Sequence, residues 1–248
     1  MTTQQPSLEE TNLDDLRKLS ERELIRLAFE THGPRAAIGT SGQKTGVVMI
    51  DIAAKLGMDF RVFFVDTEKN HPETYELFDE IEQRYGIEVE RFKPEPQDVE
   101  NLQQQFGSTP WYFSRQSCCH VRKVLPLQRA LQTLDVWLSG LRADQSEHRA
   151  DNAQKATWAK ARDGRKILKI NPMLEWTDEQ IDQYIRENDV PCNKLYDYES
   201  QYGEKYKVIG CVPCHIPVKE GLDKRFGKWP WESGGKKECG LHSGGSGI

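Results

Sequence analysis

The sequence contains no apolar run approaching the roughly 20 residues that a membrane-spanning helix needs. It also lacks an excess of positive charge. The formal net charge is −5, which removes any global electrostatic case for nucleic-acid binding and obliges an anionic ligand to find local cations. Residues 1–13 are polar and acidic, without the apolar segment of a secretory signal, so a cytoplasmic chain with reduced or metal-bound thiols is expected. No internal repeat is visible, and no glycine and lysine spacing matches a Walker A loop. What remains is 37% hydrophobic and 29% charged, the balance of a globular chain, and 248 residues suffice for one large α/β domain or a domain and a tail.

Cysteine is scarce but patterned. Cys118 and Cys119 are adjacent in Ser117-Cys118-Cys119-His120, Cys211 and Cys214 enclose Val212-Pro213, and Cys239 lies in Glu238-Cys239-Gly240-Leu241-His242. Four thiolates drawn together suit zinc or an iron–sulfur cluster. Neighbouring side chains diverge, which suits the separate corners of a four-iron cube better than one zinc ion. The alternative is a set of buried thiols with a redox disulfide between Cys211 and Cys214. Cys192 has no partner by spacing and is expected as a buried core thiol.

Along the chain, residues 1–12 are expected as a mobile lead-in. Leucines at helical spacing predict one helix from Asn12 to about Thr31, ended by Gly33-Pro34. Arg35–Gly39 reads as a strand, Thr40–Gly46 as a small-residue loop and Val47–Leu56 as a helix, the arrangement by which α/β proteins present backbone N–H groups to an anion. Arg61–Asp66 is a second buried strand, ending where a parallel sheet places ligand-binding groups. His71-Pro72 opens a helix to about Tyr85, with His71 in a loop or capping role. Further strands are expected at Glu88–Phe92, Asp135–Gly140 and Lys166–Ile170, and further helices at Asp98–Phe106 and from Thr177 to Asn188. Arg149–Arg165 reads as an exposed polar excursion. Arg122-Lys123 follows the first cysteine pair by one helical turn, and Lys219, Lys224, Arg225 and Lys228 alternate with Phe226, Trp229 and Trp231 after the second, a run that suits a small anion. The βα alternation predicts an α/β fold with a mostly parallel sheet flanked by helices, spanning residues 13–218, followed by a basic, aromatic and glycine-rich tail, 219–248, that should be flexible.

With these residues in view, the chain resembles the assimilatory adenylyl-sulfate/phosphoadenylyl-sulfate reductase family over nearly its whole length. The resemblance is carried by Val65-Asp66-Thr67 with His71-Pro72-Glu73-Thr74-Tyr75, by Cys118-Cys119 with Arg122-Lys123, by Gly140-Leu141-Arg142-Ala143-Asp144-Gln145-Ser146, by Gly210-Cys211-Val212-Pro213-Cys214, and by Lys237-Glu238-Cys239-Gly240-Leu241-His242. It implies an adenine nucleotide α-hydrolase-like fold related to the ATP pyrophosphatases. It implies a [4Fe-4S] cluster on Cys118, Cys119, Cys211 and Cys214, with Cys239 as nucleophile. Ser41 and Gly42 would line the phosphosulfate loop, Asp66 and Thr67 would meet the nucleoside, and Lys123, Arg142, Arg225, Lys228 and His242 would face the anion or tune Cys239. The cluster-bearing branch implies adenylyl sulfate as substrate, released as sulfite and AMP through an S-sulfocysteine and a thioredoxin-like dithiol in cysteine biosynthesis; the 3′-phosphorylated substrate is the alternative. A homo-oligomer is expected, with no nucleic-acid or membrane partner.

Three positions depart from the family pattern: the loop Thr40–Lys44 lacks an acidic residue after Ser41-Gly42, Lys228 stands where arginine is usual, and His215 stands where threonine is common. An ATP-using adenylating enzyme on the same scaffold predicts a Ser-Gly-Gly-x-Asp-Ser loop, which Thr40–Thr45 does not match. A zinc-bound regulatory or nucleic-acid module predicts a basic chain with its cysteines close in sequence, which this chain also lacks.

Overall fold

The computed structural model describes residues 12–232. Cys239, His242, the lead-in before Asn12 and the glycine-rich end of the chain lie outside them. Asn12 caps α1 (Leu13–Lys18) by accepting the N–H of Asp14, and α2 (Glu21–His32) opens on a reciprocal Ser20/Glu23 capping box. The expected single helix is therefore two. Leucine spacing continues across the break, but Ser20 bonds local backbone and starts a new helix.

The chain then builds β1 (Ala36–Thr40), α3 (Lys44–Lys55), β2 (Arg61–Val65), α4 (Pro72–Tyr85), β3 (Val89–Phe92) and α5 (Pro96–Phe106). Three short helices follow, α6 (Pro110–Phe113), α7 (Arg115–Cys119) and, after a π-helical turn at His120–Val124, α8 (Leu125–Gln132). The remaining elements are β4 (Val136–Ser139), α9 (Glu147–Asn152), β5 (Ala156–Lys160), β6 (Lys166–Ile170), α10 (Asp178–Asn188) and a small antiparallel pair, β7 (Glu204–Lys205) and β8 (Val218–Lys219).

The main sheet has the order β3-β2-β1-β4-β6-β5, parallel except for β5, as the βα alternation predicts. Strand alternation divides its two faces. Ile38, Val62, Phe64 and Leu138 pack with α2, α3, α4 and α10 on one side. Ala37, Phe63 and Trp137 pack against Leu127, Ala130 and Leu131 of α8 on the other. Each large apolar side chain buried this way stabilises the fold by about 1.5–3 kcal/mol. The stretch Arg149–Arg165 is not an exposed excursion. Ala156 and Ala159 are both buried on β5, and Arg149 is itself buried. Small side chains at a sheet edge had hidden a strand behind charged neighbours. Cys192 is only half-buried.

Strand order reverses between β1 and β4, so a crevice opens at their carboxyl ends, where open α/β sheets bind ligands. Two glycines let its walls approach. Gly140, after β4, would bring a Cβ to 3.3 Å from the Gly46 nitrogen of α3. A Cβ on Gly46 would strike the Thr40 hydroxyl and lie 2.8 Å from Thr40 Cβ. Gly46→Ala is predicted to lower stability by about 1–3 kcal/mol, as overpacking does. Urea denaturation checks this, and a wild-type midpoint would contradict the tight approach.

Candidate functional site

The loop after β1 turns at Gly42, whose φ of 73° is open to glycine and strained for other residues. Its N–H donates to Thr40 Oγ1 at 3.1 Å. The helix α3 starts at Lys44, three residues earlier than expected, and its first turn receives no side-chain cap. Uncapped N–H groups at a helix start favour an anion. Ser41 is exposed beside them, whereas Lys44 turns away to Asp182 at 2.6 Å and to the ring of Tyr196.

The loop between β2 and α4 is held from within. Asp66 is buried and accepts from Tyr75 Oη at 2.7 Å and the Glu68 N–H at 2.9 Å. Burial, reinforced by this carboxylate, pushes the Tyr75 phenol up to about 12. The same loop meets both cysteine segments. Thr67 Oγ1 lies 3.3 Å from Cys211 Sγ, Val212 N–H donates to the Lys69 carbonyl at 2.7 Å, and the backbones of Asn70 and Cys211 pair in an isolated antiparallel β-bridge. From the other cysteine segment, buried Arg122 donates to the Thr67 carbonyl at 2.8 Å. Arg122 and Lys123 sit on the π-helical turn that continues directly from Cys119, a deviation that single turns adopt often at functional sites.

The four cysteines consequently line one pocket, with Lys69, Arg115, Arg122 and Lys123 among its other walls. Cys118, Cys211 and Cys214 are buried, and none is in a disulfide. Burial, then the neighbouring Cys211, raises the Cys118 thiol and pushes the Cys214 thiol up to about 12. These thiols stay protonated unless a cation binds them. Among the described residues no three Cys, His, Asp or Glu side chains converge on a single-ion position, although the four thiols share the pocket.

The basic run after the second pair does not lie apart from this site. Trp229 packs on Cys211 and Cys214 and is 1% exposed. The Arg115 guanidinium stacks 4.0 Å from its ring centroid and the Lys228 ammonium 4.3 Å. Trp229 has φ 47° and Glu68 φ 56°, so two of the three described non-glycine residues with positive φ border the pocket. Such strain persists only where packing imposes it. Arg225 and Lys228 are both buried here, and the backbones of His215 and Lys228 pair in an isolated antiparallel β-bridge. Burial, then the Lys228 and Lys123 charges, keep His215 neutral well below its usual range.

Arg142 stands apart from the cysteine pocket. Its guanidinium donates to Thr45 Oγ1 at 3.0 Å and the Trp176 carbonyl at 2.8 Å, and pairs with Asp178. Lys224 closes the same group at 2.5 Å from Asp178. Burial opposes ionisation of Asp178, but hydrogen bonds from Lys224 and Arg142 outweigh it and hold the carboxyl below its usual range. Nothing in the sequence marks Lys69, Arg115 or buried Arg149. Lys69 and Arg115 become site residues only when distant segments meet; Arg149 was hidden in a stretch that looked solvated. His71 occupies the cap position of α4 but caps nothing; its Nε2 is buried without a partner, and its ring stands edge-on to Tyr206.

Residues 35–217 match the family described as the phosphoadenosine phosphosulfate reductase domain. The chain is 38% identical over 228 residues to the adenosine 5'-phosphosulfate reductase of Agrobacterium fabrum, covering 89% of this chain and 83% of that protein. Its identity to the adenosine 5'-phosphosulfate reductase of Halalkalibacterium halodurans is 35% over 240 residues, covering 94% and 97%. Among solved structures, the phosphoadenylyl-sulfate reductase of Candida auris in its phosphate complex superposes with a TM-score of 0.68 at 28% identity, covering 86% of this chain and 100% of that one. On an adenine nucleotide α-hydrolase-like fold, with all but the last of its five motif blocks in the described part of the chain, this protein belongs to the adenylyl-sulfate/phosphoadenylyl-sulfate reductase family.

Proposed function

We propose that the chain reduces adenylyl sulfate to sulfite and AMP in sulfate assimilation, and that Cys118, Cys119, Cys211 and Cys214 hold a [4Fe-4S] cluster. The observation that carries this is the gathering of two distant cysteine pairs, by one loop, into a single pocket walled by cations. Two cysteine pairs lining one pocket supply the four thiolate ligands that a [4Fe-4S] cluster takes. Such a cluster would supply fixed charge and an anchor for its surroundings beside Lys123. The names borne by the bacterial relatives favour the substrate without a 3′-phosphate. The solved relative that is a phosphoadenylyl-sulfate reductase keeps the 3′-phosphorylated substrate as the second reading.

In this reading the nucleotide enters the crevice between β1 and β4. Ser41, Gly42 and the uncapped start of α3 take the phosphate, with Asp66 and Thr67 toward the nucleoside. Lys123, Arg225 and Lys228 provide positive charge for the phosphosulfate. Arg142 braces Thr45 and the first turn of α3, since its charge is already met by Asp178 and Asp144. The Cys239 thiolate attacks the substrate sulfur, with His242 and nearby cations favouring ionisation. An S–S bond forms, the sulfur–oxygen bond to the phosphate breaks, and AMP leaves with that oxygen. A thiolate of an external dithiol then attacks Cys239 Sγ and sulfite departs; the dithiol ends as a disulfide, so its two electrons account for the reduction. Residues 219–248 would form the unit that delivers Cys239, in a cytoplasmic protein.

Anaerobically purified protein with thioredoxin is predicted to release sulfite from adenylyl sulfate with a higher kcat/KM than from its 3′-phosphorylated form. The opposite preference would keep the reaction and overturn the substrate; no sulfite from either would sink the function. Cys239→Ser is predicted to lower sulfite release by roughly 10³-fold or more. Mass spectrometry should find no sulfonate adduct on that variant, while the wild type without reductant gains one; undiminished turnover would exclude Cys239 as nucleophile.

A further inference from the structure

Two consecutive aromatic rings, Tyr112 and Phe113, stand in solvent at the end of α6. They are 59% and 69% exposed. Tyr112 meets Phe113 edge-on, with 5.5 Å between ring centroids, and Trp231 at 5.8 Å. Trp231 is half-buried and packs against Cys211, Cys214 and Trp229. Trp111, which precedes Tyr112, lines the cysteine pocket. Rings from two distant segments thus form one apolar face beside that pocket. A contiguous exposed apolar face marks a contact with another molecule, which a lone exposed ring does not.

The face is joined to both cysteine pairs. From Phe113 the chain passes through Ser114 into α7, which ends at Cys119. On the other side the Trp229 N–H donates to the Cys214 carbonyl at 2.8 Å, and the Glu232 N–H donates to the Trp229 carbonyl at 2.9 Å. Arg115 ties the two segments together by holding Glu232 at 2.6 Å. Glu232 is also the last described residue, and Cys239 follows it by seven positions. Seven residues span at most about 25 Å. A molecule that reaches Cys239 Sγ therefore works within that distance of Glu232, next to Trp231.

Three occupants compete for the face. The segment 233–248 is poorly suited, because only Leu241 and Ile248 in it carry large apolar side chains, and Leu241 must travel with Cys239 two positions away. A second copy of the chain needs more surface. Tyr112 and Phe113 together offer roughly 300 Å² of ring surface, against about 800 Å² per partner in a stable interface. Brief redox encounters bury less than stable complexes do, and a reductant has to leave once it is oxidised.

We infer that the face of Tyr112, Phe113 and Trp231 docks the protein dithiol that reduces the S-sulfocysteine on Cys239. The inference rests on the adenylyl-sulfate reductase reading for the existence of that adduct. The partner it fits is a small protein whose reactive cysteine pair stands in an apolar surface. The exposed rings act as anchors in that surface while the partner's thiolate attacks Cys239 Sγ. The S–S bond to the sulfonate breaks and sulfite leaves with its electron pair. The partner's second thiolate then displaces Cys239 as a thiolate, and the partner departs as a disulfide.

The test compares reductants on the double variant Tyr112→Ser/Phe113→Ser, whose positions are exposed, so the core stays intact. With thioredoxin as the protein dithiol, kcat/KM for thioredoxin is expected to fall roughly 10-fold or more, the effect of truncating aromatic anchors. With dithiothreitol, which needs no docking face, sulfite release is expected at the wild-type rate, with the KM for adenylyl sulfate unchanged. A wild-type kcat/KM for thioredoxin would overturn the proposal. An equal loss with dithiothreitol would also overturn it and give the face to the chain's own Cys239 segment. A wild-type dimer that the double variant splits, with thioredoxin kinetics unchanged, would overturn it in favour of a second copy. If the wild type makes no sulfite with either reductant, the reductase reading fails. Calorimetry with a thioredoxin whose second active-site cysteine is serine then decides the face: affinity lost in the double variant upholds it, and equal affinity, or none for either chain, overturns it.

Discussion

The site depends on one short loop, the segment from Asp66 to His71 that follows β2. Its backbone accepts from both cysteine segments: the Thr67 carbonyl takes Arg122, and the Lys69 carbonyl takes the N–H of Val212. Without that loop, residues more than ninety positions apart in the chain would have no common surface. The loop is fixed in turn by Asp66, which ties Glu68 and Tyr75 to itself, and by Glu68, which is held at positive φ. A parallel strand delivers the loop to the carboxyl edge of the sheet, so a property of the fold becomes a property of the pocket.

Charge is arranged around this loop on two scales. Next to the thiols stand Lys69, Arg115, Arg122 and Lys123, with Lys228 behind Trp229. In a chain of net charge −5 this is a local concentration, and burial lets it act at low dielectric. Farther along the edge, Arg142 and Lys224 are matched by Asp178 and Asp144 into a nearly neutral brace between the β4 loop and α10. The two groups of cations have different work: one offers field, the other holds the crevice walls.

Much of this was legible in the residues. Strand–loop–helix punctuation located β1, β2, β4 and β6, and the Thr177 capping box and Gly107 marked helix ends that the fold keeps. Cysteine spacing pointed to the two pairs meeting, and they line one pocket. What was hidden was hidden for physical reasons. A helix break at Ser20 leaves leucine periodicity intact. β5 is an edge strand whose buried residues are alanines, so its pattern is masked by lysine and arginine. Arg142 matches a ligand-binding motif by position, but which carboxylates reach it is decided by α10, far away in sequence. Trp229 looked like part of a basic run; only the fold reveals that it packs on Cys211 and Cys214, behind the pocket.

The central claim, that four cysteines share one cluster, is tested most directly by iron and acid-labile sulfide per chain in anaerobically purified protein, with Mössbauer spectra. The account predicts about four of each per chain in the spectral form of a cubane. Serine at Cys118 or at Cys211 should each abolish the signal, since the two pairs serve one centre. A single zinc ion without sulfide, or full iron content after either replacement, would contradict it.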